Sequence, residues 1–460
     1  MNILIVDFDF FSTAGGGQTY YQTLVKRNPG ADFHFFTKAD ASASEEMRWK
    51  LPSNVHPIAY REDRRSWFIV KQLCKQFPCI AKELIYTYGT EAVNIAYSIS
   101  GRSFDVADIP SFRPIHPVLP ALFELNNVRC GKVVLSIHGW MHKAMDLCWE
   151  RPEELVQSLR LIDQACLETS DIRYEISKFN LLNTKQLTSM PLSYFDIHNV
   201  LETGSSLPAM NSTADQLPDI WFPARLDRQK GVDLFLEIIA RVPRHLYGSI
   251  RLCGPDGNER GRTWLSRVHD LARSLGLEIV YHGTLLREQV FAQVFTKPNY
   301  CVFPSRYDSF GLAEIEALSA GCPSAISNQC GVSHFLAESY PDIPFTTMDI
   351  NKLGEASQKI ADDLMGYKEL RNNLLQSIVQ NPFKPWVQDA VLSIYRMPEI
   401  PNQVQRTAIN KSVSLAIRNA KIYEILYTIK LRLRSWISSV CPLRLKLIIL
   451  HVLNKFGFLD

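Results

Sequence analysis

Apolar residues in this chain fall into short runs separated by stretches of helical periodicity. The first run, Ile3 to Val6, is followed by Gly15-Gly16-Gly17 and a helical pattern from Gln18 to Arg27. A strand, a glycine turn and a helix in that order open a doubly wound α/β domain. Val133 to Ile137 predicts a second buried strand, ending at His138-Gly139, and 172–176 a weaker third. The second half is more regular, with apolar runs at 219–222, 250–253, 279–281, 300–303 and 323–326. Phe235, Ile238, Ile239 and Val242 form one helical stripe between them; Trp264, Val268, Leu271 and Leu275 form another, stopped by Gly276. Strands alternating with helices at this spacing predict parallel sheets with right-handed crossovers.

A length of 460 residues favours two or three domains. Residues 203–217 turn to Gly, Ser, Pro, Asn and Thr, which is linker composition. The expected organisation is an N-terminal Rossmann-like domain over 1–202, the linker at 203–217, and a second Rossmann-like domain over 218–381. Past Tyr395 the pattern changes. Ile422, Ile425, Leu426, Ile429, Leu433, Trp436, Ile437 and Val440 fall on one helical face, with Arg418, Lys421, Arg432 and Arg434 largely elsewhere. Pro442 breaks this helix, and a second basic-apolar segment follows from Leu443 to Lys455.

Composition, at 46% hydrophobic and 21% charged residues, is that of a soluble globular protein. The net charge of +3 conceals an asymmetry: from residue 401 onward ten Lys/Arg face only Glu424 and Asp460. The tail admits two readings. It lies on an anionic membrane and brings the protein to a lipid-linked partner, or Ile422, Leu426 and Leu433 pack on the protein as an appended helical hairpin. Basic-aromatic interleaving of the kind that binds nucleic acid is absent beyond Tyr423, Tyr427 and Trp436. The ten cysteines show no metal-ligand spacing. Cys166, Cys253 and Cys301 lie in apolar runs, and Cys74 and Cys79 are close in sequence without a disulfide framework around them. Asp7 interrupts the N-terminal apolar run before a signal peptide develops, and no apolar stretch reaches the roughly 20 residues of a membrane span. A cytoplasmic, reduced setting is expected, with peripheral attachment to the membrane face if the tail binds lipid.

Ligands of open α/β sheets bind beyond the carboxyl ends of the strands. After 219–222 come Arg225 and Lys230, two cations beside a predicted helix N-terminus, which suits a pyrophosphate; an isolated pair of this kind is more often two surface cations. Gly254 and Gly257 follow the next strand and permit a close backbone approach to a ligand, and His282-Gly283 follows the one after. Beyond 300–303, Ser309 is placed to cap a helix starting at Phe310, and Gly311 leaves first-turn amides open to a phosphate. Asp308 stands just before that turn. Glu316 lies inside the helix and reaches back toward a ribose diol, whereas Glu314 points about 200° away on the helical wheel and is expected to be solvated.

Asp308 and Glu316, with seven residues between them including Phe310-Gly311-Leu312, resemble the paired acids of the retaining, GT-B-fold glycosyltransferases of family 4, the glycogen-synthase-like group 1 class. Arg225-Leu226 with Lys230-Gly231 is similar to that family's diphosphate pair, and Gly254-Pro255-Asp256-Gly257, Gly283 and Gly321-Cys322-Pro323 match other recurrent positions. The resemblance covers about 219 to 326 and is weaker in the N-terminal half, where Gly15–Gly17, His138 and Asn199 support it. It implies a GT-B fold, two Rossmann-like domains facing a cleft, with a crossover back to the first domain over 382–400, near Trp386. It further implies that Arg225 and Lys230 neutralise the donor diphosphate and that Glu316 binds ribose. Asp308, Ser309 and the Phe310, Gly311 and Leu312 amides would hold sugar and β-phosphate. Gly16 and Gly17 would approach the donor from the other domain, beside His138. The donor would be a UDP- or GDP-sugar, the acceptor a glycan or lipid-linked saccharide in cell-surface polysaccharide assembly. No protein nucleophile and no obligatory metal are implied.

Two positions depart from the family pattern: Asp308 where Glu is usual, and Ala224 where Gly is usual. Asp7-Phe8-Asp9 has the form of a metal-binding motif but follows a first strand, so it is read as a loop; dinucleotide and Walker A patterns are absent. Two rival readings are a GT-B epimerase or inverting transferase, and a catalytically silent sugar-binding subunit.

Overall fold

The computed structural model describes residues 1–8, 16–38, 51–110, 118–149, 151–169, 172–175, 187–189, 217–259, 261–383, 389–398 and 403–440. Seven strands make the first sheet: β1 (Asn2–Phe8), β2 (Asp32–Thr37), β3 (Val55–Ala59), β4 (Ser103–Pro110), β5 (Arg129–Ile137), β6 (Ile172–Glu175) and β7 (Leu187–Ser189). Their order is β3-β2-β1-β4-β5-β6-β7, and every pairing is parallel. The second sheet starts with β8 (Asp219–Pro223) and β9 (Ile250–Cys253). A small antiparallel hairpin, β10 (Asn258–Glu259) with β11 (Arg262–Thr263), intervenes before β12 (Ile279–Tyr281), β13 (Asn299–Phe303), β14 (Ser324–Ser327) and β15 (Thr346–Met348). Its order is β12-β9-β8-β13-β14-β15, again all parallel. Counted within each sheet, the first runs 3-2-1-4-5-6-7 and the second 3-2-1-4-5-6, so the order of winding reverses between β1 and β4 and between β8 and β13. Those two reversals are where a crevice opens at the strands' carboxyl ends.

The predicted strands of the second half are present at nearly the predicted limits. The stripe Phe235, Ile238, Ile239, Val242 is fully buried against that sheet by helix Val232–Ile239 and its C-terminal extension. Trp264 and Val268 are buried on helix Trp264–Ser274, whose Thr263 cap accepts a bond from the Ser266 amide at 3.4 Å. Apolar runs alone do not reveal β2, β3, β4 or β15. β3 carries Pro57 and sits at the sheet edge, where a missing N–H is tolerated. β4 carries Asp105 and Asp108 within an otherwise buried strand, which breaks its apolar run.

The chain returns to the first sheet after residue 380. Helix Asp389–Arg396 lays Val391, Ile394 and Tyr395 in one apolar cluster with Ile3, Ile5 and Val106. The buried Lys132 ammonium donates to the Ile394 and Tyr395 carbonyls at 3.1 and 2.8 Å, placing a cation at the helix C-terminus, where the dipole favours it. Trp386 and the 203–216 part of the linker lie outside the described residues, as do Asp9, Gly15 and Asn199.

Helix Gln403–Val440 follows and packs on helices Ser66–Gln76, Leu119–Leu125 and Glu153–Thr169. Small buried side chains at Val413, Ala416 and Ala420 let it lie close to them. Tyr423 and Tyr427 then ring-pack on Phe68. Of the residues in the reading that packs the tail on the protein, Ile422 and Leu426 are 53% and 54% exposed, and their neighbours Ile425 and Ile429 are 60% and 49% exposed. The buried positions Val413, Ala416 and Ala420 lie upstream of that stripe, and Tyr423 and Tyr427 interleave with it. Leu433 and later side chains, and residues 441–460, lie outside the described residues. None of the described helices is long and apolar enough to cross a membrane. All eight cysteines among the described residues are free, Cys74 and Cys79 included.

Candidate active site

Residues 224–231 leave β8 as a loop, and helix Val232–Ile239 begins only after Gly231. Asp227 organises the loop: its carboxylate accepts from the Lys230 amide at 2.8 Å and from Arg225 Nε at 2.6 Å. Arg225 is therefore turned back along the loop and is half-exposed. The expected close approach at Gly254 is present, but its partner is protein. Gly254 has φ 138°, and a side chain there would begin 2.3 Å from the Ala224 carbonyl oxygen. The glycine lets two strand-end loops touch, and it brings the Gly254 backbone against the Ala224 carbonyl. Gly283 completes this layer by accepting from the Gly254 amide at 2.9 Å.

The loop after β13 is fastened to the loop after β8 along its length. Arg306 donates bidentately to Asp233 at 2.7 Å and to the Arg228 carbonyl at 2.9 Å, while Gln229 Nε2 donates to the Tyr307 carbonyl at 3.1 Å. Beyond this zipper the Lys230 ammonium pairs directly with the Asp308 carboxylate, both part-buried. Burial alone would lower the Lys230 pKa; Asp308 and Glu314 outweigh it, and the ammonium is held charged. The Asp308 carboxylate also accepts from the Phe310 amide at 3.3 Å.

Two expectations for this segment are corrected. Ser309 does not cap the helix: Gly311 is the cap, at φ 103°, and the helix spans Leu312–Ser319. The Asp308–Phe310 bond takes up the turn that Ser309 was expected to make. Glu314 is not solvated; it is fully buried. With the helix starting at Leu312, Glu314 falls in the first turn and folds back against Gly311. Its carboxyl carbon lies 2.8 Å from where a Gly311 side chain would begin. The wheel angle mattered little, because Ile315, Glu316, Ala317, Leu318 and Ser319 are buried as well. Burial pushes the Glu314 carboxyl up to about 7, against the pull of Lys230 and with Asp308 adding to the rise. Glu316, also buried, accepts from Arg287 at 2.6 Å, on the short helix Arg287–Val290 after β12.

The first domain meets this cluster through His138-Gly139-Trp140, at the end of β5. The Trp140 amide donates to the Tyr307 hydroxyl at 3.0 Å, and a side chain at Gly139 would lie 3.2 Å from Ser309 Cβ. Ala144 and Cys148 of helix Met141–Cys148 pack on Tyr307. His138 is buried between the rings of Tyr20 and Tyr21, at centroid distances of 5.2 and 5.4 Å, with Nε2 3.2 Å from the Tyr21 hydroxyl. Burial pushes its pKa down to about 3, so the ring is neutral near pH 7 and acts by hydrogen bonding. Tyr21 also faces the buried Asp108 at 3.4 Å, which accepts from Ser136 at 2.6 Å and from the Tyr395 hydroxyl. Gly16 and Gly17 open helix Gly16–Arg27 after β1.

The folded chain thus gathers Lys230, Asp308, Ser309, Phe310, Gly311 and Leu312 opposite His138. Arg225 is at the rim, tied to Asp227, and Glu316 is tied to Arg287. Asp227, Arg287 and Arg306 were missed and Glu314 was misplaced; Arg287 and Arg306 depend on partners far away in sequence, whereas Asp227 acts within its own loop. No group of three His, Cys, Asp or Glu suited to a metal occurs among the described residues.

Residues 208–377 match the family model described as glycosyl transferases group 1. The D-inositol 3-phosphate glycosyltransferase of Corynebacterium kroppenstedtii is 28% identical over 149 residues, 31% of this chain and 33% of that protein. The chain spans about a third of the length of the curated relatives it matches. Among solved structures, sucrose-phosphate synthase from Thermosynechococcus elongatus superimposes with a TM-score of 0.54 at 18% identity, over 93% of this chain and 99% of that one. Anabaena HepE in complex with UDP and glucose gives 0.54 at 14% identity, over 91% and 99%. The fold is GT-B.

Proposed function

We propose that this chain, whose residues 208–377 belong to the group 1 glycosyl transferases, moves a sugar from a UDP- or GDP-sugar to a saccharide or lipid-linked saccharide, with retention, in cell-surface polysaccharide assembly. One observation carries the reading: Lys230 and Asp308, on the loops after β8 and β13, pair at the crevice where strand order reverses. Lys230 neutralises the diphosphate as it leaves, and Arg225 leaves Asp227 to join it. Glu316 receives the ribose diol, and neutral His138 hydrogen-bonds the sugar from the opposite domain. The leaving phosphate takes the acceptor's proton, so the protein supplies preorganised charge and amides and no nucleophile. The relatives named above support a nucleotide-sugar donor; retention rests on the resemblance of the paired-acid segment.

Incubation with a panel of nucleotide sugars and saccharide acceptors should release nucleoside diphosphate, and NMR of the anomeric proton should report the donor's configuration in the product. Inverted product would move the chain to the inverting class. A silent binding subunit would bind nucleotide and release nothing. Turnover should persist in EDTA.

We further propose that Ile422, Ile425, Leu426 and Ile429 dock on an anionic lipid surface at the cytoplasmic face of the membrane. Their exposure and the ten Lys/Arg against two acids beyond residue 400 favour that occupant over a second copy of the same cationic chain. The full chain should sediment with phosphatidylglycerol vesicles, not with phosphatidylcholine ones, and Ile425→Glu should abolish this. Unchanged sedimentation of the variant, or a dimer lost on substitution, would remove the lipid reading.

A further inference from the structure

The helix N-terminus at Leu312 is where first-turn amides and the helix dipole attract an anion. In this chain an anion is already there. The Glu314 carboxylate lies against Gly311, with Oε2 2.8 Å from where a Gly311 side chain would begin and with no hydrogen-bond partner, in a residue that is fully buried. Charged neighbours face it from three directions: Lys230 from the loop after β8, Asp308 from the loop after β13, and Glu316 from its own helix. The Cys330 thiol, ahead of helix Gly331–Ser339, lies 4.0 Å from Oε1. With Glu314 ionised, the trio Lys230, Asp308 and Glu314 carries a net charge of −1; with Glu314 protonated the charge is zero. A diphosphate entering beside Lys230 meets a like charge in the first case and none in the second.

We propose that Glu314 couples nucleotide binding to proton uptake: as the diphosphate enters at the first turn of the Leu312–Ser319 helix, the Glu314 carboxylate takes one proton from solvent. This rests on the reading of the cleft as a nucleotide-sugar site. The folded position of Glu314, with a carboxyl raised to about 7, leaves it largely ionised above that pH in the empty protein. A bound diphosphate raises it further, since like charges favour the neutral acid. Linkage then requires nucleotide affinity to fall as pH rises above about 7, approaching about tenfold per pH unit. The diphosphate's own last ionisation, near pH 6, lies below this window.

The test is calorimetric titration of the full chain with UDP and GDP between pH 7 and 9, in buffers of different ionisation enthalpy, beside Glu314→Gln. Expected for the natural chain is uptake approaching one proton and an affinity that weakens by at least tenfold across the window. Expected for Glu314→Gln is a flat affinity that exceeds the natural chain's at pH 9. Proton uptake near zero in the natural chain overturns the proposal without reference to any variant, as does an identical pH slope in the variant; the nucleotide reading then stands. Binding of neither nucleotide at any pH overturns both.

Discussion

At the crevice of the second sheet, Lys230, Asp308 and Glu314 are drawn into one part-buried cluster. At the matching end of the first sheet, Tyr21 lies between two buried polar groups whose pKa values burial moves in opposite directions. Asp108 is raised to about 6 by burial, against bonds from Ser136, Tyr395 and Tyr21, and His138 is lowered to about 3. Both sheets have the same strand order, so topology fixes where a ligand goes and does not fix the chemistry offered to it. The second sheet places a cation, Lys230, among its acids. Around Tyr21 the first sheet joins His138, Asp108, Ser136 and Tyr395 by hydrogen bonds.

Lys230→Ala should break this contrast most severely. It leaves Asp308 and Glu314 without their counterion, and removal of one preorganised charge-stabilising donor costs about 2.7–4 kcal/mol in kcat. Nucleotide-release kinetics beside a melting curve would show it, and near-normal turnover would take Lys230 out of the mechanism. Arg225→Ala should cost less, about 1.5–3 kcal/mol, because in the empty site its guanidinium is half-exposed and bound to Asp227. Glu316→Gln should weaken UDP binding by about tenfold, equivalent to about 1.4 kcal/mol, while leaving inorganic pyrophosphate binding unchanged. Equal losses for both ligands would detach Glu316 from ribose.

The first sheet yields a prediction about slope. His138 has a depressed folded pKa, so its contribution to stability is present above about 6.5 and is lost as pH falls toward 3. Asp108 has a raised one, so its contribution is present below about 3.8 and is lost as pH rises through 6. Between pH 4 and 6 the two oppose each other. Relative to the natural chain, His138→Asn should gain stability as pH falls through this window, and Asp108→Asn should lose it, each by up to about 1.4 kcal/mol per pH unit. Melting temperatures across the window would reveal it; parallel curves would show that neither group titrates there. The smallest effect is expected at the contact between the halves. Tyr307→Phe removes the partner of the Trp140 amide and should cost about 1 kcal/mol of stability.

Much of the second sheet was legible because most of its strands are short, largely apolar runs at regular spacing, two of them with glycine just past their carboxyl ends. The first sheet was less so: Asp108 sits inside β4 and Pro57 inside β3, and their tolerance there depends on Tyr395 and on an edge position. Within the site, Asp308 and Lys230 were readable as types at a spacing. Glu314 was not, because its burial follows from a left-handed turn at Gly311 that moves the helix start by two residues. Arg287 and Arg306 had no local signature at all. Their partners, Glu316 and Asp233, are 29 and 73 positions away.

The bonds that tie Lys132 to Tyr395, and Tyr395 to Asp108, join residues 263 and 287 positions apart. Chain closure over such lengths costs little more than over half of them, so the native protein bears no great penalty for it. The consequence falls on the order of assembly. A chain growing from its N-terminus has all of the first sheet's strands long before it has Tyr395 or the Val413–Ala420 seal. Until then Lys132 and Asp108 lack their bonds to the Asp389–Arg396 helix, and the face that the last helices cover stays open. The first domain should therefore mature after the second, in reverse of their order of synthesis, and nascent chains stalled before residue 389 should be the ones that chaperones hold.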